Sequence, residues 1–226
     1  MVSFVILDDS GNLLAGPIFI NIATDHIVNG DPMCCYNSKN NQYCITWTAT
    51  NLDNIAATYF AIIDSAGNII KGATLIPGAS GQTTAPDTDS FVTYNVTDNQ
   101  YFFTWKGAFE SSASTAFAIY SATGDEVIPA KIVPQQSGFN TATHPIFSCY
   151  NNVTNQYLIA WLATSVDAPF CGFFAIYNNL GREVVSATRI QSPSTIYSAP
   201  VCSYNLRNNQ YFISWNDTYQ QAYCCI

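Results

Sequence analysis

Charge is scarce in this chain. Only 10% of its 226 residues are Asp, Glu, Lys or Arg, and 7 basic residues stand against 15 acidic ones, for a net charge of −8. So few cations argue against a surface built for nucleic acid or anionic lipid, because both need Lys and Arg to meet phosphates. No apolar run approaches the roughly 20 residues that a membrane helix needs, so no membrane insertion is expected. The opening "MVSFVILDDSGNLLAG" lacks the basic start and small-residue cleavage site of a signal peptide, and its "DDSGN" reads as a turn. If the protein is exported, the signal is already gone or the route is unconventional. Also missing are a C-x-x-C spacing for zinc, a G-x-S-x-G, an H-E-x-x-H and a phosphate-binding Gly loop. No metal and no cofactor is expected, and no catalytic residue is selected.

What is present is repetition. "NNQYCITW" (40–47) returns as "DNQYFFTW" (98–105), "TNQYLIAW" (154–161) and "NNQYFISW" (208–215), each preceded by Tyr-Asn. The other half of the unit runs from Phe4, Phe60, Phe117 and Phe174, which lie 56, 57 and 57 residues apart, each with a Gly seven residues later. Each unit carries four short strand signals: one ends at Tyr-Asn, the second is "NQYxxxW", the third begins at the Phe, and the fourth ends nine residues after the Gly. Self-similarity at this period means a solenoid, a propeller or an array. The Gly stands where a hairpin needs positive φ, with Asp8, Asp64 and Asn178 placed to bond the turn from its start.

The chain begins with strands three and four of a unit and stops just after strand two of another. The internal units take 13, 12 and 13 residues from Trp to the next Phe; Trp215 to the C-terminus and on to Phe4 takes 15. The half units therefore sum to one, which predicts a single domain over 1–226: an all-β, four-bladed propeller of four-stranded antiparallel blades, closed by N-terminal strands that complete the last blade. The rival is pairing of the half units between chains, giving a head-to-tail fibre. The pattern resembles the tandem β-propeller repeats, Tyr-Asn, turn, Asn-x-Tyr, apolar residues, Trp, of bacterial surface and secreted proteins, and is similar to hemopexin-like domains in architecture only. That resemblance implies a secreted or cell-surface setting. It says little of function, because propellers host lectins, adhesins, inhibitors and enzymes alike.

Trp47, Trp105, Trp161 and Trp215 share a face with the Tyr of strand two and are expected between blades rather than as sugar platforms. Ligand contacts are expected in the joins between strands two and three (50–58, 106–115 and 164–172), with Asp53, Glu110 and Asp167 as candidates. Asp31 and His144, just ahead of Pro32 and Pro145, are expected near the mouth of the channel lined by the innermost strands, in blades one and three. Most of the eight Cys read as small core residues, while Cys224 and Cys225 beside the C-terminus suit a disulfide or an assembly contact. On these grounds the chain reads as a non-enzymatic binding or adhesion module for a glycan or protein ligand. The alternatives are a structural subunit of an extracellular fibre or coat, able to self-assemble, and a hydrolase with its site at the channel mouth.

Overall fold

A computed structural model describes residues 1–22, 26–53, 55–79, 82–84, 89–109, 112–141, 146–166, 170–192, 195–217 and 222–225; for 82–84, 108, 109, 112 and 222–225 it describes the backbone alone. Every regular element among them is a strand. The segment 110–122, the best helical candidate by composition, contributes the strand Ser112–Ser121.

The repeat is visible in the sheets. β1 (Val2–Leu7) and β2 (Leu13–Ile20) form a hairpin by themselves. The first blade is β3 (His26–Asn37), β4 (Gln42–Asn51), β5 (Ala56–Asp64) and β6 (Ile69–Ile76), each antiparallel to the next. A short β7 (Gln82–Thr84) bridges to the second blade, β8 (Ser90–Asn95), β9 (Gln100–Phe109), β10 (Ser112–Ser121) and β11 (Glu126–Ile132). After β12 (Asn140–Thr141) the third blade is β13 (Phe147–Asn151), β14 (Gln156–Thr164), β15 (Cys171–Asn178) and β16 (Glu183–Arg189). The fourth sheet has three strands: β17 (Val201–Asn205), β18 (Gln210–Asn216) and β19 (Ala222–Cys225). The inner strands β3, β8, β13 and β17 neighbour one another in that order.

Alternation along strand two makes each blade two-faced, and each face meets a different neighbour. Cys44, Phe60 and Ile62 of the first blade pack on Tyr101, Phe103 and Trp105 of the second. Phe102, Phe117 and Ile119 of the second pack on Tyr157, Ile159 and Trp161 of the third. All four Trp are buried, Trp105 and Trp161 in these seams, Trp215 against the third blade and Trp47 beneath the β1–β2 hairpin. The hairpin β1–β2 lays Val2 and Ile20 on Ile45 and Trp47 of the first blade, the place that outer strands of a preceding blade would take.

The turns follow the chemistry of their first residue. Gly11, Gly67, Gly124 and Gly181 all have positive φ. Asp8 Oδ1 accepts the N–H groups of Ser10 and Asn12; Asp64 and Asn178 do the same, and Ser121 takes the role in the second blade.

The octet that recurs along the chain is a latch between blades. The Asn before its Gln-Tyr, at positions 41, 99, 155 and 209, adopts a left-handed φ of 53–57° in the turn joining strands one and two. The Tyr at the end of strand one donates to that Asn's Oδ1 in every blade, at 2.9–3.0 Å. The Asn of Tyr-Asn caps its own turn and reaches forward: Asn37 Nδ2 donates to Asn99 Oδ1 and Tyr101 Oη, both 3.1 Å. Asn95 repeats this on Asn155 (3.0 Å) and Tyr157 (2.7 Å), and Asn151 on Asn209 (3.1 Å). The motif is spent on holding one blade to the next.

Closure by the N-terminal strands is not what the sheets show. Among the described residues β1 pairs only with β2, and the edge of β18 where a third strand belongs is taken by β19, with Ile213 opposite Cys225 and Asn216 opposite Ala222.

Burial also sets an alkaline limit. Desolvation raises the phenols of Tyr101, Tyr157 and Tyr177 above the ordinary value of about 10, and pushes Tyr120 up to about 12. A folded-state pKa above the unfolded one gives stability that is complete below pH ~10 and lost as pH climbs toward the folded values. Titration above that pH is therefore expected to release phenolate absorbance in one step together with loss of the β-sheet circular dichroism. Gradual ionisation of every Tyr ahead of unfolding would contradict this burial.

Candidate functional site

The inner strands start at the end opposite the latches, and the first of them starts irregularly. Between Asn29, opposite Thr48, and Met33, opposite Thr46, four steps along β3 span two on β4. Gly30 takes φ +82°, a conformation an L side chain resists, and Pro32 brings no N–H to the ladder. The Asn29 amide bonds the Thr50 hydroxyl and fixes the near side of the bulge. Bulges of this kind re-aim a side chain at a sheet's rim. Here the bulged residue is Asp31, which lies within β3 and is exposed.

The Asp31 backbone N–H donates to Oδ1 of Asp89 at 2.9 Å. Asp89 is half-buried at the foot of β8, so its carboxylate reaches across to the backbone of Asp31 in the adjacent blade. One residue on, the Ser90 hydroxyl lies 2.7 Å from that of Thr46, which itself donates to the Tyr59 carbonyl. The floor behind the carboxylates is thus hydroxyl-rich and tied across the seam. Chemically, two carboxyl groups with one fixed by backbone are the equipment for acid and base work on a neutral substrate.

The other candidates do not join them. Asp53 is exposed in the tight turn after β4, where Asn51 Oδ1 accepts the Ile55 N–H at 2.8 Å, and no bond among the described residues links it to Asp31 or Asp89. Glu110, Asp167 and His144 lie outside the described residues, and Cys224 and Cys225 are described by backbone alone. Of the joins expected as binding loops, 106–115 is mostly strand, with β9 and β10 paired as far as Phe109 opposite Ser112, and β4 pairs β5 as far as Thr50. Residues 106–109 and 112–115 are rungs of a ladder.

Asp89 was legible but mis-registered. Counting back from Tyr-Asn rather than from Pro puts Asp89 five residues ahead of Tyr94, as Asp31 is ahead of Tyr36. Pro86 lies eight residues ahead of Tyr94 while the other three lie four or five ahead, so an alignment on Pro displaces the second blade.

Cysteine is a poor candidate for the chemistry. Cys35 and Cys44 stand opposite each other on β3 and β4, and burial pushes both thiols well up, away from the thiolate a nucleophile needs. Cys149 and Cys202 are hydrogen-bonded between neighbouring inner strands, a contact that with burial raises Cys202. Cys34, Cys35, Cys44, Cys149, Cys171 and Cys202 are all free thiols, and Cys34 is exposed rather than in the core. No metal-holding cluster occurs among the described residues.

No protein-family model matches the chain, and no curated protein matches it in sequence. Solved structures match its fold. One is a β-1,3-galactosidase of glycoside hydrolase family 43 in complex with galactodeoxynojirimycin: TM-score 0.53 at 10% identity, covering 96% of this chain and 82% of that one. Another is a thermostable family-43 glycoside hydrolase: TM-score 0.50 at 10% identity, covering 82% of this chain and 64% of that one. The chain thus spans less than two thirds of that enzyme's length. Family-43 enzymes are five-bladed propellers, so the comparison supports a propeller-like all-β fold but not the count of four blades or the repeat family inferred from the sequence. It also corrects the functional expectation. The like folds belong to glycoside hydrolases, so the reading as a non-enzymatic binding or adhesion module gives way to the hydrolase alternative.

Proposed function

We propose that this protein is a glycoside hydrolase whose reacting centre is the carboxylate pair Asp31 and Asp89. The observation that carries the reading is the 2.9 Å bond from the Asp31 N–H to Asp89 Oδ1, which sets two acidic residues of adjacent blades side by side at the bulge of β3. Glycoside hydrolysis needs two such groups, one to give a proton to the leaving oxygen and one to take a proton from water or attack the sugar. In the direct form, water oxygen bonds to the anomeric carbon and the glycosidic C–O bond breaks. The leaving oxygen gains the acid's proton and the base keeps the one from water. Asp89, held by backbone, suits the role that must be fixed in place; Asp31, on the bulge, suits the proton donor. The fold similarity to family-43 enzymes supports the substrate class, and the sparse surface charge suits a neutral glycan.

The finer architecture belongs to the same reading: a four-bladed ring in which the β1–β2 hairpin closes against the fourth sheet, β1 meeting β18 over Gln210–Phe212, the part of its edge that β19 leaves unpaired. Its support is the repeat arithmetic and the seating of β1–β2 on the first blade in the place of a preceding blade's outer strands.

A panel of neutral aryl glycosides and unbranched polysaccharides tests the activity. Turnover above an enzyme-free control is expected on at least one pyranoside or furanoside, with the anomer of the first product read by proton NMR. No turnover across the panel over days at high enzyme concentration would remove the proposal.

A further inference from the structure

The seam between the second and third blades has an empty counterpart elsewhere in the molecule. Phe102 is fully buried in that seam, stacked 4.1 Å from Tyr157 and 5.2 Å from Phe117, among Ile119, Ile159 and Tyr177. Moved through the repeat to the junction of the last blade with the first, those five residues become Tyr43, Phe4, Ile6, Ile45 and Ile63. All five line one cavity of about 270 Å3 beside β1, together with Cys34. The residue equivalent to Phe102 is Phe212, which is 38% exposed on the outer face of the fourth blade.

The polar half of the seam is vacant in the same register. Asn205 is the equivalent of Asn37, Asn95 and Asn151, yet it is exposed, and the bond given for it is the one its Oδ1 accepts from the Arg207 N–H at 3.0 Å. At the other end Asn41 takes the Tyr36 hydroxyl on its Oδ1, as every such Asn does, but has no forward-reaching Asn among its described bonds. The β18 edge also stays open over Gln210–Phe212, because β19 begins pairing only at Ile213. Elsewhere the residues that pair this part of strand two are the equivalents of Ile6, Leu7 and Asp8.

We infer that the cavity beside β1 is the seat of Phe212 of the same chain. The last blade docks there with Phe212 stacked on Tyr43 and with the Asn205 amide donating to Asn41 Oδ1 and Tyr43 Oη. This rests on the ring architecture proposed above and not on the glycosidase activity. It specifies which contacts close the ring and from which residues. The apolar cavity fits an aromatic ring on chemical grounds, and the amide donor at one end matches the acceptor pair at the other.

Replacement of Phe212 by the photocrosslinker p-benzoylphenylalanine in the full chain tests the contact, since it keeps the phenyl ring and reacts with whatever C–H groups lie beside it. Irradiation at low protein concentration is expected to give a monomer-mass product in which position 212 is joined to a peptide containing Phe4–Leu7 or Tyr43–Ile45. A dimer-mass product would overturn the inference in favour of a second copy in the cavity, and no crosslink to either segment would overturn it outright. As a second readout, Phe212→Ala is expected to lower Tm by about 6–20 °C, as loss of a seated ring does in a chain of this size. A shift within about 1 °C would mean an unseated ring. Neither readout involves turnover, so failure here and failure of the glycosidase reading are separable.

Discussion

Asp89→Asn is expected to lower kcat/KM for the best glycoside by about 10²–10⁴-fold, the range that one acid or base group contributes. The substitution is chosen for what it keeps. Asn is the same shape, and its Oδ1 still accepts the Asp31 N–H that Asp89 accepts at 2.9 Å, so the bulge of β3 and the start of β8 stay where they are. What is removed is the capacity to take up or release a proton and the negative charge that would face a developing oxocarbenium ion. Tm is therefore expected within about 2 °C of the parent, which separates a chemical effect from unfolding. Asp31→Asn tests the other half of the pair, and the two losses should be far from additive if the carboxyl groups act as a unit. Asp53→Asn, exposed in its tight turn, is the control and is expected to stay within a factor of about two. The pH profile carries the assignment further: a bell-shaped kcat/KM should lose its acid limb when the base is removed and its alkaline limb when the acid is. Activity within about threefold of the parent in both variants would place the chemistry elsewhere on the molecule.

The repeat was the legible part of this protein, because a hydrophobic period of two, a fixed turn residue and a recurrent Trp are local signals that survive without an alignment. Strand identity, the positive φ of Gly11, Gly67, Gly124 and Gly181, the capping by Asp8, Asp64 and Asn178 and the burial of all four Trp follow from them. Pairing of the chain ends was less legible, since composition cannot weigh a distant hairpin against the four residues of β19 that compete for the edge of β18. The latch was quoted but not understood. Asn and Tyr recur at positions 37, 41 and 43 because the first bonds the equivalents of the other two in the next blade, a relation between repeats that no single strand displays. The contact between Asp31 and Asp89 was the least legible feature. Asp31 was found as a residue before Pro, but its partner lies 58 residues on and is visible only when the second blade is registered on Tyr94. Glu110 and Asp167 were chosen as loop acids on the premise that long joins bind ligands. Backbone pairing through Lys106 and Thr115 has instead drawn most of the longest join into the sheet.

If the latch holds the blades together, Asn95→Ala should be the most damaging single change at a polar position, with Tm lowered by about 8–15 °C. Asn95 is fully buried. Its Oδ1 accepts the Asp98 N–H at 2.9 Å, and its Nδ2 donates to Asn155 Oδ1 and to Tyr157 Oη at 3.0 and 2.7 Å. Three bonds at about 1–1.5 kcal/mol each give ~3–5 kcal/mol, and the buried acceptors left behind make the upper end the better guide. For a chain of about 150–250 residues each kcal/mol moves Tm by roughly 2–4 °C. Tyr157→Phe removes only the hydroxyl that Asn95 meets and should cost ~1 kcal/mol, since the ring's stacking on Phe102 is untouched. A double-mutant cycle between the two positions should then return a coupling of about 1 kcal/mol, because once the amide is gone the hydroxyl has little left to lose. A coupling near zero would mean that the seam is held by its aromatic layer alone and that the Asn–Tyr contact is incidental. A measured coupling would show that the recurrent octet specifies how each blade is set against the next, the relation that brings Asp31 of one inner strand to Asp89 of its neighbour.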